Sequence, residues 1–282
     1  MSTPSITVTI DGRTLTQDDI HAIEFERIKH VFRDMSALGA QLHDATGADM
    51  TLKQALALPF AKAKEALVVT KVRLGREGIL NLYKDRLAQS DEMWHRIAAE
   101  TVKGRNMQPA YVEVNVDGVT IGDFIAYNRA LNKNGDTTAP FYIHPEHFVF
   151  EAKDGGQYVM ETVGEYQEPT FQFLYLGPNP TKPVEEDADT TISIAGDTAW
   201  LVSDHTYLPI MGIHQFKAKK GGMRAKLGIF FPENAPIEMV SGHKEHLAVE
   251  FSNALTYAAR KKSIMSPVFN AVVILKKTLT RK

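Results

Sequence analysis

There is no cysteine anywhere in the chain. Disulfides, thiolate metal sites and a cysteine nucleophile are therefore excluded, and the composition suits a reducing compartment. No stretch approaches the roughly 20 apolar residues of a membrane span. The opening MSTPSITVTIDG lacks a basic patch followed by an apolar run, so no signal peptide is expected. A charge excess is also missing, with 32 Lys and Arg against 34 Asp and Glu. That balance argues against nucleic acid or an anionic membrane as the main partner. The expected address is the cytoplasm. GREG at residues 75–78 is not a phosphate loop, because no Gly-Lys-Ser/Thr follows it. Neither a dinucleotide fingerprint nor a nucleophile elbow is visible.

What is present is ordinary for a globular protein: 44% hydrophobic and 23% charged residues in a chain of 282, enough for one large or two modest domains. Residues 1–108 read as a mainly helical region after a short opening strand. Apolar positions at helical spacing run from Asp18 to about His43, from Leu52 to Val69 and from Arg73 to Val102. The shift at KGRNMQP, residues 103–109, marks a boundary. Beyond it the chain is strand-rich, with one short helix in TIGDFIAYNRAL and hairpins around KDGG, GD and KKGG. VTIDGRTLTQDDI and VNVDGVTIGDFIA echo each other as strand, turn and helix start, which is recurring local chemistry rather than a repeat architecture.

One long helix dominates the C-terminal part, from Pro232 to Lys262. Met239, His243, His246, Leu247, Glu250, Phe251, Ala254 and Tyr257 recur at steps of three and four, which puts two imidazoles and a carboxylate beside the core-facing stripe. The order predicts an α+β protein: an N-terminal helical region, then a helix-grip (START/Bet v1-like) domain over 109–262. In that domain an antiparallel sheet curves around the long helix and encloses a cavity. Residues 263–282 form a tail, either a short strand or a segment docking on a partner subunit.

Register decides which polar side chains face that cavity. With the 153–156 turn central, His144 falls near Glu165 and Phe148 near Glu161. Phe148, Phe150, Val159 and Val163 then share the buried face. His144, Glu161 and Glu165 point inward, and His147 and Glu151 point outward; a slip of one residue reverses this. The KKGG hairpin sets His214 inward with Phe216. The interior inventory is His144, Glu161 or Glu165, and His214 from the sheet, with His243, His246 and Glu250 from the helix. Imidazole and carboxylate are the natural zinc donors where thiolate is absent. His246 and Glu250 stand one helical turn apart and can reach a single ion. The same spacing serves ordinary helical ion pairs, and it recurs at His30/Asp34 and His147/Glu151.

His246-Leu-Ala-Val-Glu250 on the terminal helix, preceded by His144 and Glu165, resembles the diacetylphloroglucinol hydrolase family, which includes phloretin hydrolase. The resemblance covers mainly residues 140–262. It implies zinc ligands in the order His, Glu, His, Glu, hence His144, Glu165, His246 and Glu250, with His147 competing for the first place. It implies hydrolysis of the carbon–carbon bond between an acyl group and a phenolic ring, on an aromatic or polyketide substrate. Tyr142, Tyr207 and His214 would bind ring hydroxyls or supply a proton, and Phe148, Phe150, Trp200, Phe216 and Phe251 would line the pocket. The helical region would serve dimerisation, giving a homodimer, or else cover the cavity as a lid. Two rivals stand beside it: a metal-free polyketide cyclase or dehydratase using His214 or His246, and a non-catalytic carrier of an apolar ligand.

Overall fold

In a computed structural model, residues 4–102, 104–164, 168–175, 177–261, 266–267 and 269–271 are described. The N-terminal stretch holds β1 (Ser5–Ile10), β2 (Arg13–Leu15), α1 (Gln17–Ala37), β3 (Leu42–His43), β4 (Asp49–Met50), α2 (Leu52–Leu56), α3 (Phe60–Leu82) and α4 (Lys84–Ala99). Then follow β5 (Met107–Asp117), α5 (Ile121–Asn134), α6 (Ala139–Ile143), β6 (His147–Lys153), β7 (Gly156–Thr162) and β8 (Pro169–Tyr175). The chain continues through β9 (Ile192–Gly196), β10 (Thr198–Leu201), β11 (Tyr207–Leu208), β12 (Met211–Lys219), β13 (Gly222–Pro232) and α7 (Ile237–Arg260).

Local chemistry sets the helix ends. Thr16 with Asp19, Thr51 with Gln54 and Thr120 with Asp123 each form a reciprocal capping box. The echo in the sequence is thus a tight turn followed by a capped helix, used twice. The helical stretches expected over 52–69 and 73–102 divide differently. Pro59 opens α3, which runs on to Leu82 past a break at Gly75, whose backbone turns left-handed (φ 62°).

Strands β2-β1-β5-β13-β12-β9 form one antiparallel sheet and β11-β10-β8-β7-β6 another. The expected hairpins at 153–156 and 219–222 form, with Lys153 opposite Gly156 and Lys219 opposite Gly222. The hairpin expected around Gly196-Asp197 does not. A single residue separates β9 from β10, too few to reverse the chain, so β9 pairs with β12 and β10 with β8. That continuous stretch joins the two sheets. The result is a mixed helical and antiparallel-sheet protein with α7 packed on β5 and β13.

The inner core joins Val112, Val114, Phe216 and Leu227 of the sheet to Leu247, Phe251, Leu255 and Ala258 of α7. Where the chain leaves β7, Gly164 (φ 90°) passes so close to α7 that a Cβ would sit 2.4 Å from the Met239 Cα. The outer face of β6 and β7 carries Phe148, Val149 and Met160, which pack on Ile28, Phe32, Leu67 and Ile79 of α1 and α3. Residues 1–108 are thus knit into the rest: β1 extends the sheet beside β5, and Asn253 of α7 donates to Glu24 of α1 at 3.0 Å. Most of the 263–282 tail lies outside the described residues. No described helix is long and apolar enough to cross a membrane.

Candidate metal centre

Strand β6 begins irregularly. His147 stands opposite Glu161, but the next matched pair is Val149 with Met160, so two residues of β6 answer one of β7. This bulge overturns the expected orientation. His147, read as outward, is 1% exposed and faces Glu161, while Phe148 is turned to the outer face against Tyr83, with ring centroids 4.8 Å apart. A uniform alternation cannot reveal a bulge, because both registers keep an apolar face. Glu165, the expected strand carboxylate, lies outside the described residues.

Three imidazoles meet behind the bulge. Ligand atoms of His144, His147 and His246 lie within 4.8 Å of one another, and all three residues are buried. His147 Nδ1 lies 3.0 Å from the Pro140 carbonyl. The carbonyl can only accept, so Nδ1 carries the hydrogen and Nε2 keeps its lone pair. That Nε2 is 3.2 Å from His246 Nε2. Glu161 Oε2 is 3.6 Å from the first and 3.7 Å from the second. At zinc bond lengths of about 2.0–2.2 Å, the corners of a tetrahedron lie about 3.3–3.6 Å apart. The three atoms therefore outline one face of such a polyhedron. Glu161 Oε1 is held from behind by Gln172 Nε2 at 3.5 Å.

His144 sits differently. Its ring stacks on His246 at 3.7 Å, and its Nδ1 accepts the Glu146 backbone N–H at 3.1 Å. In a neutral ring the hydrogen is then on Nε2, which leaves no lone pair there for a cation. His144 thus packs against His246 by its ring face, while His147 and His246 face each other through Nε2. The stack continues to His243, 5.1 Å from His246.

Burial governs the protonation of the cluster. It drives His144 and His246 well below the ordinary imidazole range, helped by the neighbouring rings, and lowers His147 to about 3. Burial, then the charges of Glu250 and Glu146, raises Glu161 to about 8, and burial raises Glu250 to about 7. The two sets have opposite signs in the linkage. Imidazoles held neutral lose their stabilising contribution as pH falls below about 6.5. Carboxyls held protonated contribute fully below about 4.5 and lose it as pH rises through about 7 and 8. Thermal melts of metal-free protein should therefore fall in midpoint as pH drops below about 6.5.

Two buried cations grip the segment that carries the imidazoles. Lys71 of α3, 0% exposed, donates through Nζ to the carbonyls of Pro145 and, at 2.7 Å, His147. Burial lowers its amine to about 7 against the opposing charge of Glu146. Arg27 of α1 pairs with Glu146, both buried. Neither residue was singled out from sequence. The signal was there for Lys71, since it lies four residues after Leu67 and eight after Ala63, on the apolar stripe of its helix.

The centre opens on a cavity of about 410 Å³ lined by His147, Glu250, Phe150, Phe251, Phe124 and Asn128, among others. Glu250, Phe150 and Phe251 thus face this cavity. Other candidates are elsewhere. Tyr142 donates to Glu65 at 2.9 Å, Tyr207 donates to the Asp197 carbonyl at 3.1 Å, and Trp200 stacks on Phe173 at 4.8 Å. Phe216 is core, 5.5 Å from Phe124, and His214 lines a different cavity. Tyr142→Phe should accordingly leave metal affinity unchanged and alter stability by less than about 1 kcal/mol; a titration and a melt check both.

No family profile matches the chain, and neither does any curated protein. Among solved structures, the one described as the crystal structure of Ara h 8.0201 aligns with 15% sequence identity and a TM-score of 0.37, covering 55% of this chain and 100% of that one.

Proposed function

We propose that the protein is a zinc-dependent hydrolase on a helix-grip scaffold, cleaving the carbon–carbon bond between an acyl group and a phenolic ring. The observation that carries this is the triangle of His147 Nε2, His246 Nε2 and Glu161 Oε2, with sides of 3.2, 3.6 and 3.7 Å, beside an aromatic-walled cavity. His147, Glu161, His246 and Glu250 reproduce the His, Glu, His, Glu order of the family that the sequence resembles. When bound, zinc supplies Lewis acidity at neutral pH.

The chain's own residues do the rest. Pro140 fixes the His147 ring through its carbonyl, and Gln172 orients Glu161. Phe150 and Phe251 flank a flat substrate, and Asn128, Asn132 and Asp136 offer polar contacts for ring hydroxyls. A volume of about 410 Å³ lies within the range of small-molecule sites.

Metal analysis of purified protein should find about one zinc per chain. Chelation should abolish release of the acyl acid from an acylated phloroglucinol, and added zinc should restore it. Turnover indifferent to chelators would point instead to a metal-free cyclase or dehydratase. Binding without turnover would leave a carrier.

A further inference from the structure

A second cavity, of about 170 Å³, lies among β8, β10, β12, β13 and the first turns of α7. It shares no lining residue with the first. Its wall is almost wholly apolar, and no Lys, Arg, Asp or Glu contributes to it. Against that background three polar atoms are conspicuous. Gln172 Oε1, His214 Nδ1 and His243 Nδ1 are all buried and have no hydrogen-bond partner among the described residues, and all three side chains line the cavity. Gln172 and His243 are 4% and 6% exposed. Leaving such groups unpaired in an apolar setting is costly. A fold with no use for them would have apolar residues there.

The chemistry of the three atoms narrows the occupant. Gln172 spends its N–H on Glu161, so its Oε1 can only accept. A neutral imidazole has one N–H to give and one lone pair to offer, and no acidic side chain lines the cavity to favour a charged ring. The site thus asks for a group that donates and accepts at once, which is a hydroxyl. A carboxylate or an ammonium would enter without a counter-charge. The size is set as well, because about 150 Å³ of apolar cavity is enough to hold benzene. Tyr175 and Ile194, 40% and 42% exposed, border the cavity and give it an outlet to solvent.

We propose that this cavity is a second small-molecule site, taking an uncharged, hydroxyl-bearing molecule of about one ring, such as a monocyclic phenol. The ligand O–H donates to Gln172 Oε1, and its oxygen accepts the imidazole N–H of His214 or His243. The site adjoins the metal centre through Gln172 and His243 but shares no lining residue with its cavity.

Calorimetric titration of the full, zinc-free chain with phenol, toluene and benzoate tests it. Phenol should bind, toluene about tenfold more weakly for want of the hydrogen bonds, and benzoate not measurably. His243→Phe should weaken phenol binding about tenfold. Ala199→Leu, which fills the cavity from a strand that carries neither imidazole, should abolish it while the melting curve shows a folded protein. Equal affinity for toluene and phenol, no phenol binding at all, or phenol binding unchanged in Ala199→Leu would each overturn the proposal. Because zinc is absent throughout, the result is independent of the hydrolase assignment.

Discussion

Metal-free Glu161→Gln protein should be more stable than wild type at pH 6 and more so at pH 8.5, yet lose most of its zinc-dependent stabilisation. The two halves have different origins. Burial raises the Glu161 carboxyl to about 8, so between about pH 4.5 and 8 the folded wild type must take up a proton that the unfolded chain has released, and a neutral amide of the same shape is spared that cost. Above pH 8 the wild type must either bury a carboxylate or hold a proton against the solution, and the amide is spared both. Zinc inverts the comparison. The oxygen that completes the triangle with His147 and His246 then carries no charge, and an amide is a poor zinc ligand beside a carboxylate.

If affinity falls a hundredfold, the stabilisation gained at a fixed excess of zinc falls by about 2.7 kcal/mol. Melts at pH 6 and 8.5, with and without zinc, read all four corners. Equal zinc shifts in the two proteins would remove Glu161 from the ligand set. The sign reversal also separates a ligand from a merely structural carboxylate, whose replacement would act alike in both conditions.

The same pair of carboxyls makes zinc affinity depend on pH. Glu161 and Glu250 hold protons up to about 8 and 7, and a cation must displace them. Affinity should therefore rise between pH 6 and 8, with protons released on binding. Calorimetry in buffers of different ionisation enthalpy counts them.

How much of this was legible in the sequence follows from what each residue signals locally. The helical stripe of α7 announces itself through its period, and His246 and Glu250 sit on it where the spacing says they should. The hairpins at KDGG and KKGG are equally plain, since their turn residues demand that backbone. His147 was misplaced because its orientation depends on one extra residue in β6, and an insertion of that kind leaves no mark in a pattern where both faces are buried. The second face is itself the reason: α1 and α3 cover Val149 and Met160, so hydrophobicity could not tell inside from outside. The false hairpin at Gly196-Asp197 shows the converse. A turn-like dipeptide sat within a strand that simply passes from one sheet to the other.

Lys71→Met should lower stability by about 2–4 kcal/mol and zinc affinity by about 10–100-fold, although Lys71 touches no ligand atom. Two terms oppose each other. Methionine relieves the protein of a buried amine, which burial already lowers to about 7. Against that, the carbonyls of Pro145 and His147 lose their donor inside a dry core, and each unsatisfied acceptor costs about 1–3 kcal/mol. The loss wins because the vacated space faces Phe148, over whose ring the ammonium sits at 4.7 Å, and Lys71 is fully buried.

The consequence reaches the metal through the backbone. His147 is aimed at His246 by its ring bond to Pro140 at one end and by its own carbonyl, held by Lys71, at the other. Freeing the second lets the bulge relax towards regular pairing, which swings the imidazole off the triangle. Cobalt substituted for zinc gives the readout that stability alone would not move. Lys71→Met should shift and weaken the visible bands of a tetrahedral cobalt site, whereas an unchanged spectrum with only a lower melting temperature would confine Lys71 to holding the fold. In that geometry the N-terminal helices form the back wall of the centre, and α3 in particular sets the position of a candidate ligand on a strand 76 residues further along the chain.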